Sequence, residues 1–147
     1  MDKYVVSFEQ AKQLKKAGFP QDTVYKYYQV IVTGEVKLIA GDFEDLTVGG
    51  KHTRTFAAPM TDELRAQLPD RINDRYAKLE IRTLGRYTNM PILVEESLQP
   101  VTRDQEFHPN YNDLAFEDDG RLETLVNALS VLWLWCNENN YLERSQS

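Results

Sequence analysis

The chain has 147 residues, of which 41% are apolar and 27% charged, and it contains one cysteine. This length fits one domain, and the apolar fraction is too high for a disordered chain. The formal net charge is −6, divided into +1 over residues 1–60 and −7 over residues 61–147. Because proteins gain most of their affinity for nucleic acids from Lys and Arg, we expect no nucleic-acid partner.

The single cysteine and the lack of long apolar runs indicate the compartment. Cys136 has no second cysteine to pair with, which excludes an internal disulfide and a cysteine-based zinc site. It lies in an apolar helical run, where we predict a small buried side chain. The N-terminal residues lack a signal-peptide pattern, and the longest apolar run, Val131–Cys136, is too short to span a bilayer. We therefore expect a cytoplasmic protein without membrane contact.

The N-terminal third predicts a short helix followed by a hairpin. Ser7 is a typical N-cap, Gln10 three residues later completes a capping-box pattern, and Gly18 is a typical helix stop. The segment Val24–Val32 is dense in β-branched and aromatic residues, and Thr33-Gly34 can turn it back into a second strand over 35–40. A weaker hairpin signal lies at Gly49-Gly50, between more polar segments.

The middle of the chain predicts one short helix and more strands. Thr61 can cap a helix that Pro69 ends. Residues 76–84 alternate as a strand, with the inward positions Ala77, Leu79, Ile81 and Thr83. Residues 87–96 form another candidate strand. Because Pro91 lacks a backbone N–H, we expect this strand to lie at a sheet edge or to be interrupted there. Residues 97–112 show no period, and residues 114–116 could add a short strand.

The C-terminal segment Leu122–Asn139 predicts a long amphipathic helix. Its core-facing residues fall within an arc of roughly 120° at 100° per residue. They are Leu122, Leu125, Val126, Leu129, Leu132, Trp133 and Cys136. The order of elements predicts an α+β fold over residues 1–147 without a linker. It combines an antiparallel meander, the long C-terminal helix packed on one sheet face, and the short N-terminal helix.

This last helix carries more apolar surface than one sheet contact needs. Ala128, Val131, Leu134 and Trp135 project away from the core arc. Three explanations are open: the chain covers them itself, they form a homodimer seam, or they contact a foreign protein. We treat these four residues as a candidate interface.

A search for catalytic and metal-binding patterns identifies no catalytic, cofactor-binding or metal-binding residues that we would assign. His108 lies near Asp113 and Glu117, which suggests a small metal-dependent hydrolase as the alternative function, although a second histidine nearby is missing. His52 fits an ordinary surface position. Six acidic residues and no Lys or Arg fall within 104–119, which fits a solvated loop plus a helix entry or, less simply, an acidic decoy of nucleic acid.

The pattern of caps and core stretches resembles a group of small uncharacterised proteins of phages, prophages and gut-type bacterial genomes. The resemblance rests on Phe8–Gln21, Tyr27-Tyr28, Ala58–Leu64 with Leu68-Pro69, Leu125–Trp135, Asn139 and Tyr141-Leu142. It spans most of the chain, and residues 97–117 depart from it. It implies a mobile-element accessory protein of a bacterial cytoplasm, with no assigned activity and no catalytic residues to transfer. We therefore expect a non-catalytic protein without cofactor that acts by self-association or by contact with a host or phage protein.

Overall fold

The computed structural model describes residues 4–40, 53–72, 75–84, 87–95, 106–109 and 124–142. These residues form three helices and two antiparallel sheets, which confirms the α+β class. The elements in chain order are α1 (Phe8–Lys16), β1 (Tyr25–Val30), β2 (Val36–Ala40), β3 (Thr53–Ala57), α2 (Thr61–Gln67), β4 (Arg71–Ile72), β5 (Arg75–Leu84), β6 (Tyr87–Glu95), β7 (Glu106–Phe107) and α3 (Leu125–Glu138).

Helix α1 begins and ends where the sequence predicts. The Ser7 Oγ accepts a hydrogen bond from the backbone N–H of Gln10 at 3.3 Å and thereby caps the N-terminus. At the other end Gly18 has a φ of +91°, a left-handed conformation that favours glycine. The backbone N–H of Phe19 then donates to the Leu14 carbonyl at 2.9 Å, which closes the last turn.

The first sheet has the strand order β2-β1-β3. The predicted β1–β2 hairpin is present, and Gly34 in its turn has a φ of +73°. Neighbouring strand residues point to opposite faces, yet Tyr27 and Tyr28 are both buried, so both faces of β1 are covered. The Gly49-Gly50 turn lies outside the described residues.

The second sheet has the order β4-β5-β6-β7, so the strands form two sheets where the sequence analysis predicted one. The expectation for Pro91 is wrong: β6 runs through Pro91 and pairs with β5 and with β7. In the described residues, β7 pairs with β6 only at Leu93 and Val94. Pro91 lies outside this paired stretch, so the backbone N–H that proline lacks is not needed for pairing with β7. Residues 90–94 are all buried.

Strand β5 follows its predicted alternation only in part. Ala77 and Leu79 pack against the core, whereas Ile81 is 43% exposed and does not point into it. The side chain of Thr83 and the candidate strand at 114–116 lie outside what the structure describes. Strand β7 falls in the region where the sequence shows no period.

Helix α3 is the central element of the described core. The Thr124 Oγ1 caps it by accepting from the backbone N–H of Asn127 at 3.2 Å. The predicted core face is confirmed for the five residues that are at most 2% exposed: Val126, Leu129, Leu132, Trp133 and Cys136. Leu125 is half-buried, and Leu122 lies outside the described residues. The helix contacts β6, as predicted, and it also contacts α1 and α2. In the described part of the chain, no helix is long and apolar enough to cross a bilayer.

The N-terminal residues are anchored between α1, β1 and α2. Val5 and Val6 are fully buried, and Val5 forms an isolated bridge with Met60. The Tyr27 hydroxyl donates a 2.7 Å hydrogen bond to the Val6 carbonyl in the core. The ring of Tyr27 meets Phe8 edge-on at 5.5 Å, an arrangement that aromatic pairs prefer.

Replacing this buried hydroxyl tests how strongly the N-terminal residues are held. We expect Tyr27→Phe to lower the free energy of unfolding by about 1–2 kcal/mol, because the Val6 carbonyl loses its partner inside the core. Tyr25→Phe makes the same chemical change at a half-buried tyrosine whose hydroxyl has no partner among the described residues. It should cost less than about 0.5 kcal/mol in the same urea titration. Equal losses in the two variants would contradict the role of the Tyr27 hydrogen bond.

Candidate functional site

Two of the four candidate interface residues lie inside the fold. Ala128 is fully buried and Val131 is 8% exposed, and both cluster with Met90, Ile92 and Val94 of β6. Their apolar surface is therefore used by the chain itself, as the first of the three explanations requires. The apolar surface of the candidate interface that is left for another molecule lies mainly on the other two residues, Leu134 and Trp135.

Leu134 and Trp135 are half-buried at the outer side of α3. Leu134 packs at the margin of the main core cluster. The Trp135 ring lies against Tyr141 with a centroid separation of 5.3 Å and an interplanar angle of 50°. The two side chains are thus held in place by the fold while part of their surface stays accessible.

Three of the four candidate residues line one groove of about 190 Å³. We call it the α1–α3 groove. Its lining residues are Val131, Leu134, Trp135 and Glu138 of α3, Gln10 and Gln13 of α1, and Pro109 after β7. Helical spacing explains the grouping, since residues three and four positions apart share one face of α3.

A buried polar network fixes the inner side of this groove. The Gln10 Nε2 donates to the Ser130 Oγ at 2.7 Å, and the Ser130 Oγ donates to the Asn127 carbonyl at 2.6 Å. The Asn127 Oδ1 in turn accepts the backbone N–H of Ser7 at 2.8 Å. The predicted capping box is therefore only half present, because Asn127 replaces the Gln10 side chain as the partner of that N–H.

Gln10 is one of four groove residues that the sequence analysis did not assign to a site; the others are Gln13, Pro109 and Glu138. It is 1% exposed, and it donates two hydrogen bonds, one from its backbone N–H to the Ser7 Oγ and one from its Nε2 to the Ser130 Oγ. From the sequence, helical spacing places Gln10 on the same face of α1 as Ser7 and Gln13. This spacing does not predict which other helix that face contacts.

The electrostatics of the groove are one-sided. The Glu138 carboxylate at its margin is exposed and forms no ion pair with any residue that the structure describes. The last turn of α3 contains no basic residue that would offset the negative end of the helix dipole. None of the described residues that line the groove is a lysine or an arginine. Among these residues, Glu138 supplies the only charge, and that charge is negative.

Among the residues that the structure describes, His108 is not part of a group that could hold a metal ion. It is half-buried, and its Nδ1 lies 2.8 Å from the Pro109 carbonyl oxygen. Asp113, Glu117 and His52 lie outside the described residues. Within those residues, no group of three or more His, Cys, Asp or Glu side chains could hold a metal ion. The metal-dependent hydrolase stays a hypothesis.

The acidic segment 104–119 is described only at residues 106–109. There Glu106 accepts a 2.7 Å hydrogen bond from the Nη1 of Arg82, which also pairs with Glu80 at 3.0 Å. This carboxylate is therefore part of an ion-pair group on the second sheet. The other five acidic residues, and with them the decoy hypothesis, fall outside the described residues.

Comparison with known proteins adds no assignment. No protein-family model matches the chain, and neither a curated protein nor a solved structure matches it.

A larger cleft of about 600 Å³ opens between the ends of α1 and α2. Trp133 and Leu142 are among its apolar lining residues, and Arg65 and Asp70 are its charged ones. Both charged side chains are exposed and have no partner among the described residues. Because their charges are opposite, the cleft favours neither an anionic nor a cationic ligand.

The lone cysteine lies in the core, as predicted. Cys136 is fully buried in the cluster that also contains Ile72, Leu93, Phe107 and Leu132. Burial removes water from the thiol and raises its pKa from 9.0 to about 12. The thiolate, which is the reactive form, is therefore suppressed in the folded protein.

We expect thiol-specific reagents to modify Cys136 only when the protein unfolds. At pH 9 an ordinary thiol with a pKa of 9.0 is half ionised, whereas Cys136, with a pKa of about 12, stays protonated. The rate of labelling by a chromogenic disulfide should stay low at pH 9 in buffer. It should rise with urea in parallel with the unfolded fraction measured by circular dichroism. Rapid labelling of the folded protein would contradict the burial of this side chain.

Proposed function

We propose that this chain is a non-catalytic accessory protein that binds another protein through the α1–α3 groove. The observation that carries the proposal is the grouping of Val131, Leu134 and Trp135 along one groove. Following the resemblance to phage and prophage proteins, we place this activity in the cytoplasm of a bacterium that carries a mobile element. The partner is then a host or phage protein.

The size of the groove supports a polypeptide partner. Small-molecule sites usually enclose about 300–1,000 Å³. The α1–α3 groove, at about 190 Å³, is smaller and suits a single side chain projecting from a larger molecule. Tryptophan is among the residues most enriched at the energetic centres of protein interfaces. A half-buried Trp135 beside Leu134 fits that role.

Charge favours a foreign partner over a second copy of the chain. Each copy has a formal net charge of −6, so self-association would bring like charges together. A symmetric contact at the groove would also bring two Glu138 carboxylates towards each other. We therefore expect a monomer in solution and a partner with the opposite charge.

The proposal is tested by comparing a half-buried apolar position in the groove with an exposed apolar position elsewhere. Leu134→Asp places a charge in the groove and should reduce capture of the partner at least about tenfold, the equivalent of 1.4 kcal/mol. Val32→Asp makes a similar change at a side chain that is 81% exposed in the β1–β2 turn, and it should leave capture unchanged. The measurement is quantitative mass spectrometry of proteins retained from a lysogenic bacterial lysate, with circular dichroism to confirm that each variant is folded.

Three results would contradict the proposal. In the first, the wild-type protein and both folded variants capture the partner equally. In the second, the wild-type protein captures no protein specifically. In the third, light scattering shows a dimer that Leu134→Asp dissociates. The third result would assign the same groove to self-association.

A further inference from the structure

We propose that the buried hydrogen bonds between α1 and α3 set the register of the two helices and thereby hold the α1–α3 groove in one shape before a partner binds. The inference rests on the proposed function and goes beyond it, because it assigns Ser7, Gln10, Asn127 and Ser130 as positioning residues of the site. The described lining of the groove comes mostly from these two helices, so its shape depends on where α1 lies along α3.

Two hydrogen bonds, which we call the register bonds, join the helices. The Ser7 backbone N–H donates to the Asn127 Oδ1 at 2.8 Å, and the Gln10 Nε2 donates to the Ser130 Oγ at 2.7 Å. On each helix the two bonded residues are three positions apart, so one turn of α1 is matched to one turn of α3. Among the described residues, every buried side-chain N or O atom has a hydrogen-bond partner in this register.

Apolar contact alone does not distinguish one register of α1 from the next. Phe8, Ala11 and Leu14 recur at every third position and pack in the main core cluster, so a helix shifted by that spacing would again present apolar residues to the core. Apolar contact is also non-directional. A hydrogen bond, in contrast, weakens steeply when its distance or angle departs from the preferred range.

The Ser7 register bond is the one that a shifted helix cannot form again. A shift of α1 by one turn would bring Gln13 to Ser130 in place of Gln10, and Gln10 to Asn127 in place of Ser7. The backbone N–H of Gln10 is already bonded to the Ser7 Oγ, whereas that of Ser7, at the N-cap, lies outside the helix's own hydrogen bonds. Asn127 therefore recognises the start of α1, which occurs once.

The register bonds specify the position of α1 more than they stabilise the fold. A buried hydrogen bond contributes little net stability, because its groups were bonded to water in the unfolded chain. The same groups cost much more free energy when they stay buried and lose their partners, as they would in a shifted register. We therefore expect removal of these bonds to disturb the position of α1 beyond what the loss of stability alone would cause.

The test compares backbone amide spectra of ¹⁵N-labelled protein without any partner. Asn127→Ala combined with Ser130→Ala removes both acceptors from α3 and leaves the sequence of α1 unchanged. The wild-type protein should give one resonance for each residue of α1. The double variant should give more than one, or broadened signals, because several registers are populated. The indole N–H of Trp135 in the groove should change in the same way.

A control variant separates register from general loosening of the core. Leu129→Val removes apolar volume from a fully buried residue of the same helix and no hydrogen bond. It should lower the urea midpoint of unfolding and keep one resonance for each residue of α1. Extra resonances in Leu129→Val, or a single wild-type set in the double variant, would overturn the inference.

A matched pair at one position gives the same answer if the double variant does not fold. Asn127→Asp keeps an acceptor oxygen for the Ser7 N–H, whereas Asn127→Ala removes it. We expect one set of α1 resonances in Asn127→Asp and additional resonances in Asn127→Ala. Equal spectra of the two variants would contradict the role of the Ser7 register bond.

The outcomes separate this inference from the proposed function. Partner capture by the double variant should fall in proportion to the population of the native register. If several registers are populated and capture is unchanged, the register bonds position α1 but the groove is not the contact site, so the proposed function fails. If Leu134→Asp abolishes capture while the double variant keeps a single register, the proposed function stands and this inference fails.

Discussion

Helix α3 is enclosed by its own chain over its first two turns, and each polar group there needs a partner inside the protein. Eight consecutive residues, 126–133, are buried, and two of them, Asn127 and Ser130, are polar. Because water cannot reach these groups, α1 supplies their partners through Ser7 and Gln10. The position of α1 is therefore fixed by hydrogen bonds as well as by apolar contact. The inner side of the groove follows from that position.

The candidate site lies where the enclosure of α3 ends. Its first two turns are buried, whereas Leu134 and Trp135 are half-buried and Glu138 is exposed. The groove thus combines apolar surface from the buried part of the helix with the carboxylate and the dipole of its open end. Burial decreases along α3 towards its C-terminus. Ala128 and Val131 therefore pack against β6, whereas part of the Trp135 surface stays accessible.

The sequence predicts those parts of the fold that depend on local pattern. The ends of α1, the β1–β2 hairpin and the core face of α3 follow from capping residues, glycine and helical spacing. What it misses depends on tertiary contact. A two-residue strand such as β7 has too little length to show a period, and the tolerance of β6 for Pro91 depends on how far its neighbour extends. The candidate site was predicted only through its α3 residues, since nothing local indicates that Gln10 is buried against Ser130.

The hydrogen bonds between α1 and α3 also have a consequence for the order in which the protein acquires its structure. Ser7 and Asn127, like Gln10 and Ser130, are 120 positions apart in the chain. A helix of nine residues is marginal in water without tertiary support. During synthesis the hydrogen bonds that join α1 to α3 cannot form until residues 127–130 have left the ribosome. Contacts of such long sequence separation slow folding, so these hydrogen bonds should be among the last to form in the newly made protein.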